Sequence, residues 1–277
     1  MANRRIPPHG PERGFSLIEL AVVMAIVAFL LGGLIYTLSA QVEQRNFEET
    51  RRRLDQAREL ILAFAITNGR LPCPARSAAT AAPATVAGDE VVTTATGCIG
   101  DAVTDYYGGT SGGITLGLLP ARAIGYQQVD PSGFAVDAWG NRIRYAVSGA
   151  TPVNCAGTST MPHFVNATNL KQNGISCQPS DLLVCKSATG ITATTCGGAT
   201  NQIMTQNLVA AIIFSTGKNG AGTPGGIDEA ANLNGDRVFV YHTPTPTTSA
   251  NGEFDDQFTW ITYGELYGKM IAAGVLP

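Results

Sequence analysis

The sequence predicts an α+β protein: one long amino-terminal α-helix packed on an antiparallel β-sheet head that carries a disulfide-stapled insert. Three observations predict this class. From Leu20 to Val42 there is no charged side chain, 23 residues in all, or roughly 35 Å of helix, enough to cross a hydrocarbon core. Residues 43–66 hold no Pro or Gly, so nothing stops the helix where the apolar run ends. Beyond Asn68 the chain is rich in Gly, Thr, Ala and Ser with short apolar alternations, which suits a loop-rich β domain outside the cytoplasm.

The first element is a polar leader holding Arg4, Arg5 and Arg13, followed by Gly14-Phe15-Ser16-Leu17-Ile18-Glu19-Leu20. A secretory signal peptide has a shorter apolar core with a small-x-small cleavage site behind it. Here the small residue, Gly14, comes before the apolar run. A cut between Gly14 and Phe15 would therefore leave the hydrophobic segment on the mature chain. Glu19 is a carboxylate inside the edge of the apolar run, a placement that costs free energy and marks a function.

The run from Arg5 through Arg13-Gly-Phe-Ser-Leu-Ile-Glu-Leu resembles the type III signal of type IV pilins and pseudopilins. The resemblance implies a prepilin peptidase that cuts after Gly14 and methylates the new amino-terminal Phe15. It implies assembly with other pilin or pseudopilin subunits, in which Glu19 pairs with the amino group of Phe15 on a neighbouring subunit. It also implies a single pass through the inner membrane, the head in the periplasm, and incorporation into a pilus or pseudopilus. The domains expected are a cleaved leader, 1–14; a long helix, 15–67, transmembrane over about 15–42; and a head, 68–277, with an insert over about 149–203.

The helix continues as the spine of the head. Glu48–Arg52 and Glu49–Arg53 are i,i+4 pairs, and Leu54, Ala57, Ile61 and Phe64 form an apolar stripe. Asn68-Gly69, Pro72 and Pro74 end it. Residues 75–116 read as loops with one strand near Glu90–Thr94, and Gly117–Gly125 as a brief helix. Asp137-Ala-Trp-Gly-Asn-Arg142 reads as a turn feeding the alternating Ile143, Tyr145 and Val147. That turn, and the strand Leu208–Ser215 with its loop, resemble the corresponding parts of major pseudopilins. Residues 149–203, between these strands, hold four of the six cysteines and read as a self-contained insert. Arg237–His242 and Gln257–Thr262 read as strands and Tyr263–Ala273 as an amphipathic helix.

Six cysteines, Cys73, Cys98, Cys155, Cys177, Cys185 and Cys196, without a Cys-x-x-Cys spacing, suit disulfides in an oxidising compartment. The modular reading pairs Cys73 with Cys98; among three pairings open to the insert, Cys155–Cys177 with Cys185–Cys196 is the one between neighbours. The net charge of −3 gives no footprint for nucleic acid. Gly109-Thr-Ser-Gly-Gly113 matches a nucleophile elbow but lacks the apolar strand that motif needs. His9, His163 and His242 have no metal-ligand or acid–base spacing, so no enzyme chemistry and no organic cofactor are expected. The one ligand weighed is Ca²⁺. The acidic loop Asp228, Glu229, Asn232, Asn234 and Asp236, with Asp255 and Asp256 later, supplies hard oxygen donors. Asp228, Asn234 and Asp236 are the chosen ligands, and major pseudopilins hold calcium in the corresponding loop. The leading reading is thus a structural subunit, a minor pilin or pseudopilin. Its rival is a membrane-anchored extracytoplasmic hydrolase or binding protein that uses the helix only as an anchor.

Overall fold

The structure is a computed structural model that describes residues 14, 16–77, 86–94, 97–98, 107–111, 114–149, 163–220 and 224–276, without the side chains of 31, 33–39, 92–94, 97, 110–111 and 114. The leader residues 1–13, Phe15 and Cys155 therefore lie outside the described residues. The chain divides into two units, Met1–Arg45 and Asn46–Pro277. The architecture is α+β.

Helix α1, Leu17–Asn68, opens in the first unit. Ten large apolar side chains between Leu17 and Leu30 are exposed there, Leu17 by 88% and Phe29 by 87%. Among the described residues no helix is long and apolar enough to cross a membrane. The uncharged run Leu20–Val42 includes eight positions whose side chains fall outside that description.

In the second unit α1 behaves as an amphipathic spine. Leu54, Ala57 and Ile61 of the expected stripe are buried, Leu62 and Ala65 join them, and Phe64 packs at the edge of the same core. Arg53 Nε reaches Glu49 Oε1 at 3.0 Å, the i,i+4 pair. The helix stops because Gly69 adopts φ +71° and donates its N–H to Ala65 O, a left-handed end that glycine tolerates without cost. Arg70 then forks onto Glu90, at 2.7 and 2.6 Å, and Glu90 Oε2 also accepts the Cys73 N–H.

The remaining elements are β1 Val92–Thr94, β2 Gly97–Cys98, β3 Gly109–Ser111, β4 Ile114–Leu116, α2 Ala121–Ile124, β5 Arg144–Val147, α3 Ala167–Asn173, β6 Leu183–Cys185, β7 Gln202–Met204, β8 Val209–Ser215, α4 Ile227–Asn232, β9 Val238–Val240, β10 Gln257–Thr262 and α5 Tyr263–Ala272. The main sheet has the order β10-β8-β5, antiparallel throughout, with Trp260 opposite Ile212 and Ala146 opposite Ile212 on the other side. Every residue of β8 is buried, which its uncharged Val-Ala-Ala-Ile-Ile-Phe-Ser permits in a central strand. The α1 stripe shares one core with β5, β8 and Ile261. Arg58 ties the spine to the sheet end, bonding Trp260 O and, through Nη2, both oxygens of Glu265.

A second sheet, β7-β6-β9, corrects two expectations. Its β6–β9 pair is parallel, with Val184 opposite Phe239, so the head is not wholly antiparallel. Strand β6 lies inside the interval 149–203, so the described part of that interval is woven into the head and is no separate lobe. Period-2 alternation explains why. Val184 and Phe239 face the main core, while Leu183, Cys185, Val238 and Val240 face a smaller one with Phe254. Three-residue strands apolar on both faces need cover from the rest of the head. Phe164, Val165, Leu170 and Leu182 also join the main core, and Leu71 N–H donates to Phe164 O.

Candidate functional site

At the amino terminus, Gly14 is exposed and outside any helix. A Cβ placed on it meets nothing within 4 Å, and its φ is not in the left-handed region. Among the described residues, neither local backbone strain nor packing requires a glycine there. Two residues later a reciprocal capping box opens α1. Ser16 N–H donates to Glu19 Oε2 at 3.0 Å, and Glu19 N–H donates to Ser16 Oγ at 3.2 Å. The Ser16-x-x-Glu19 spacing is the sequence signal of this box.

The three residues chosen for calcium do not come together as one ligand set. Asp228 is buried, and its carboxylate accepts from Ala188 N–H, from Asn251 Nδ2 and from His242 Nε2, the last at 3.1 Å. Asn234 and Asp236 instead bond each other within their own turn, where Asp236 Oδ1 also accepts Val238 N–H. Asp228 and Asp236 thus spend their oxygens on donors as caps and tethers, the ordinary use of Asp in turns.

Among the described residues, the group of carboxylates able to converge on a cation is Glu229, Asp255 and Asp256, all buried, with one oxygen from each within 4.8 Å of the others. Helix α4 supplies Glu229, and the residues leading into β10 supply the two aspartates. Glu229 accepts from Asp255 N–H, Asn219 Nδ2 and Gly225 N–H. Asp255 Oδ2 accepts Lys218 N–H at 2.8 Å, and Asp256 Oδ2 accepts from Asn232 at 2.7 Å. Asp255 Oδ1 is buried with no hydrogen-bond partner. Burial, reinforced by the charges of Glu229 and Glu253, pushes the Asp255 carboxyl up to about 6. Burial likewise holds the Asp256 carboxyl well above the usual range, and Arg144 opposes this only in part. Hard oxygen donors and a buried carboxylate oxygen without a partner are the chemistry that suits a divalent cation at Glu229, Asp255 and Asp256.

The other candidates are structural. His163 is fully buried, shares a 2.9 Å hydrogen bond with Tyr267 Oη, and is pushed down to about 4 by burial. The Asp137–Asn141 turn proves to be a junction. Asp137 accepts from Trp139 and Asn141 N–H and from Ser215 Oγ, Arg53 bonds Asp137 O, and Trp139 sits edge-on to Phe47 at 4.9 Å. Asn166, in a glycosylation-like Asn-Ala-Thr, caps α3 through Thr168 and Asn169 N–H and is buried. Cys73 is bonded to Cys98 and Cys185 to Cys196. Cys177 is also in a disulfide, and its expected partner Cys155 lies outside the described residues.

Comparison with known proteins singles out the amino terminus. No curated protein and no solved structure matches the chain significantly. Residues 11–35 match the family described as Prokaryotic N-terminal methylation motif. That segment contains Gly14, the capping box and the start of the exposed apolar stretch, so the chain carries the type IV pilin and pseudopilin signal.

Proposed function

We propose that this chain is a structural subunit, a minor pilin or pseudopilin, of a type IV pilus or a type II secretion pseudopilus. It is made as a precursor, cut after Gly14 by a prepilin peptidase, methylated on Phe15 and assembled with other subunits through its amino-terminal helix. Before assembly the apolar run holds it in the inner membrane as a single pass, with the head in the periplasm. The observation that carries this reading is the methylation motif at 11–35, standing on a helix whose large apolar side chains from Leu17 to Leu30 are exposed. Among the described residues nothing meets a Cβ placed on Gly14, which agrees with a demand for glycine set by the enzyme that handles the segment. Length supports a minor rather than a compact major subunit.

Processing tests the reading directly. Co-expression with a prepilin peptidase should remove 14 of 277 residues, about 1.5 kDa of 28.9 kDa, leaving a methylated Phe15. Gly14→Val should block the cut. An intact unmutated precursor would favour the rival, an extracytoplasmic hydrolase or binding protein anchored by the same helix. A divalent cation, calcium by its preference for oxygen donors, is a second proposal for the head, carried by the convergence of the Glu229, Asp255 and Asp256 carboxylates and by the partnerless Asp255 Oδ1.

A further inference from the structure

We propose that the open edge of β10 is a docking site for a short extended peptide segment bearing a lysine or arginine, supplied by another protein. The proposal is independent of the processing reading above. The direction of the backbone groups identifies the edge. Ser148 N–H donates to Ala210 O, so Ala210, Ile212 and Phe214 turn their peptide groups towards β5. Phe258 lies opposite Phe214 and Trp260 opposite Ile212, so these two residues of β10 point their N–H and C=O groups out of the sheet. Arg58 meets them from outside, its Nε donating to Trp260 O at 3.1 Å. Among the described residues no group bonds the N–H or the C=O of Phe258. An unpaired donor and acceptor on an edge strand form a template for another strand.

The cleft outside that edge supplies the rest of the recognition. Its volume is about 430 Å³, within the range of about 300–1,000 Å³ that holds small ligands. Helix α1 lines one side with Glu48, Arg51 and Asp55, and Tyr241 lies across from it, its ring 5.7 Å from that of Phe258. Gln257 lines the same cleft, and its Nε2 is buried without a hydrogen-bond partner. A peptide carbonyl would satisfy that donor while the segment's backbone pairs with Phe258. The carboxyl groups of the cleft, on Glu48, Asp55 and Asp256, outnumber its one guanidinium, on Arg51. Together with the faces of Tyr241 and Phe258 they favour a cationic side chain. An anion would face those carboxyl groups, and an apolar molecule would leave Gln257 Nε2 and the Phe258 peptide groups unpaired. Arg58 closes the edge at Trp260, so pairing is confined to the residues around Phe258 and the segment is short.

Fluorescence anisotropy of a labelled, end-capped peptide, Thr-Val-Arg-Val-Thr-Val, tests the proposal on the full chain in detergent, with detergent alone as the blank. Chelator is present throughout, so that no divalent cation at Glu229, Asp255 and Asp256 takes part. Saturable binding is expected. N-methylation of the peptide's valines removes its strand donors and should weaken binding at least about tenfold. Gln257→Glu, which sets an acceptor against the peptide carbonyl, should also weaken it about tenfold. Asp55→Lys, on the exposed face of α1, should weaken the arginine peptide about threefold and tighten a glutamate version, as reversing one charge at the rim requires. Unchanged melting of each variant shows that its fold is kept, and Asp55→Lys carries the test should Gln257→Glu melt early. Absence of saturable binding would overturn the proposal, as would equal binding of the N-methylated peptide or an Asp55→Lys chain that treats both peptides as the unmutated one does. A dimer that Asp55→Lys dissociates, without peptide binding, would overturn it in favour of a second copy at this edge.

Discussion

Two stretches of one helix, Leu17–Leu30 and Leu54–Ala65, are built from the same kinds of residue and have opposite surroundings. In the second, Leu54, Ala57, Ile61, Leu62 and Ala65 are buried in the head core. In the first, ten large apolar side chains stand exposed. Burying each Val, Leu or Ile is worth about 1.5–3 kcal/mol, so the second stretch is stabilised by its own chain while the first leaves that free energy unclaimed. Spacing separates them. Asp55, Arg58 and Glu59 interrupt the second stretch and leave a stripe, whereas no charge interrupts the first after Glu19. An exposed apolar helix of this length calls for cover from outside the chain, by lipid or by other subunits.

Substitution is the sharpest way to break that contrast. Ile61→Ala should cost the head about 2–5 kcal/mol, a cavity in a closed core. Val23→Ala, in the exposed stretch, should change head unfolding by less than about 0.5 kcal/mol. Urea unfolding of the full chain in detergent, followed by tryptophan fluorescence, measures both. Equal costs would mean that the two stretches are not energetically distinct.

Acid should separate them next. His163 titrates near 4 in the folded head and near 6.5 when unfolded, so the unfolded chain binds the proton first. The stability it protects is whole above pH 6.5 and falls as pH drops towards 4, by about 3 kcal/mol in total. His163→Gln should flatten that part of the pH–stability curve, while helicity from the exposed stretch stays constant. A curve with the same slope in the variant would remove His163 from the account.

Asp255 bears the opposite sign and the smallest effect. Its carboxyl is raised to about 6, so its contribution is whole below the ordinary value near 3.8 and is lost as pH rises through 6. A divalent cation should offset that loss, since only the folded head binds it. Millimolar calcium at pH 7.5 should raise the Tm of the unmutated head by a few degrees and leave Asp255→Asn unmoved. Identical melting in calcium and in chelator would leave the cluster as a hydrogen-bonded knot.

The elements with strong local signals were legible in the sequence. β10 spans Gln257–Thr262 as the alternation requires, β8 begins one residue later than expected, and α1 ends at Asn68 beside its glycine. The parallel pairing of Leu183–Cys185 with Val238–Val240 was not legible. Three-residue strands over fifty positions apart carry no local sign of their partner, and the cysteines around them suggested a separate lobe. The acidic loop shows the same limit. Asp228 and Glu229 are adjacent, yet the helix turns one towards His242 and Asn251 and the other towards Asp255. Composition named the loop, and only packing chose between its carboxylates.

The proposal that the exposed stretch Leu17–Leu30 of α1 is covered by other subunits is tested most directly at Glu19. The assay is co-assembly into fibres sheared from cells, comparing unmutated chain, Glu19→Gln and Glu19→Ala after confirmed cutting at Gly14. Glu19→Gln keeps the capping box and removes the charge. Both variants should accumulate as processed, membrane-held protein and be depleted from fibres at least tenfold, a loss of about 1.4 kcal/mol of pairing with a neighbour's amino group. Incorporation of both variants at the unmutated level would contradict the account and leave Glu19 as a helix cap alone.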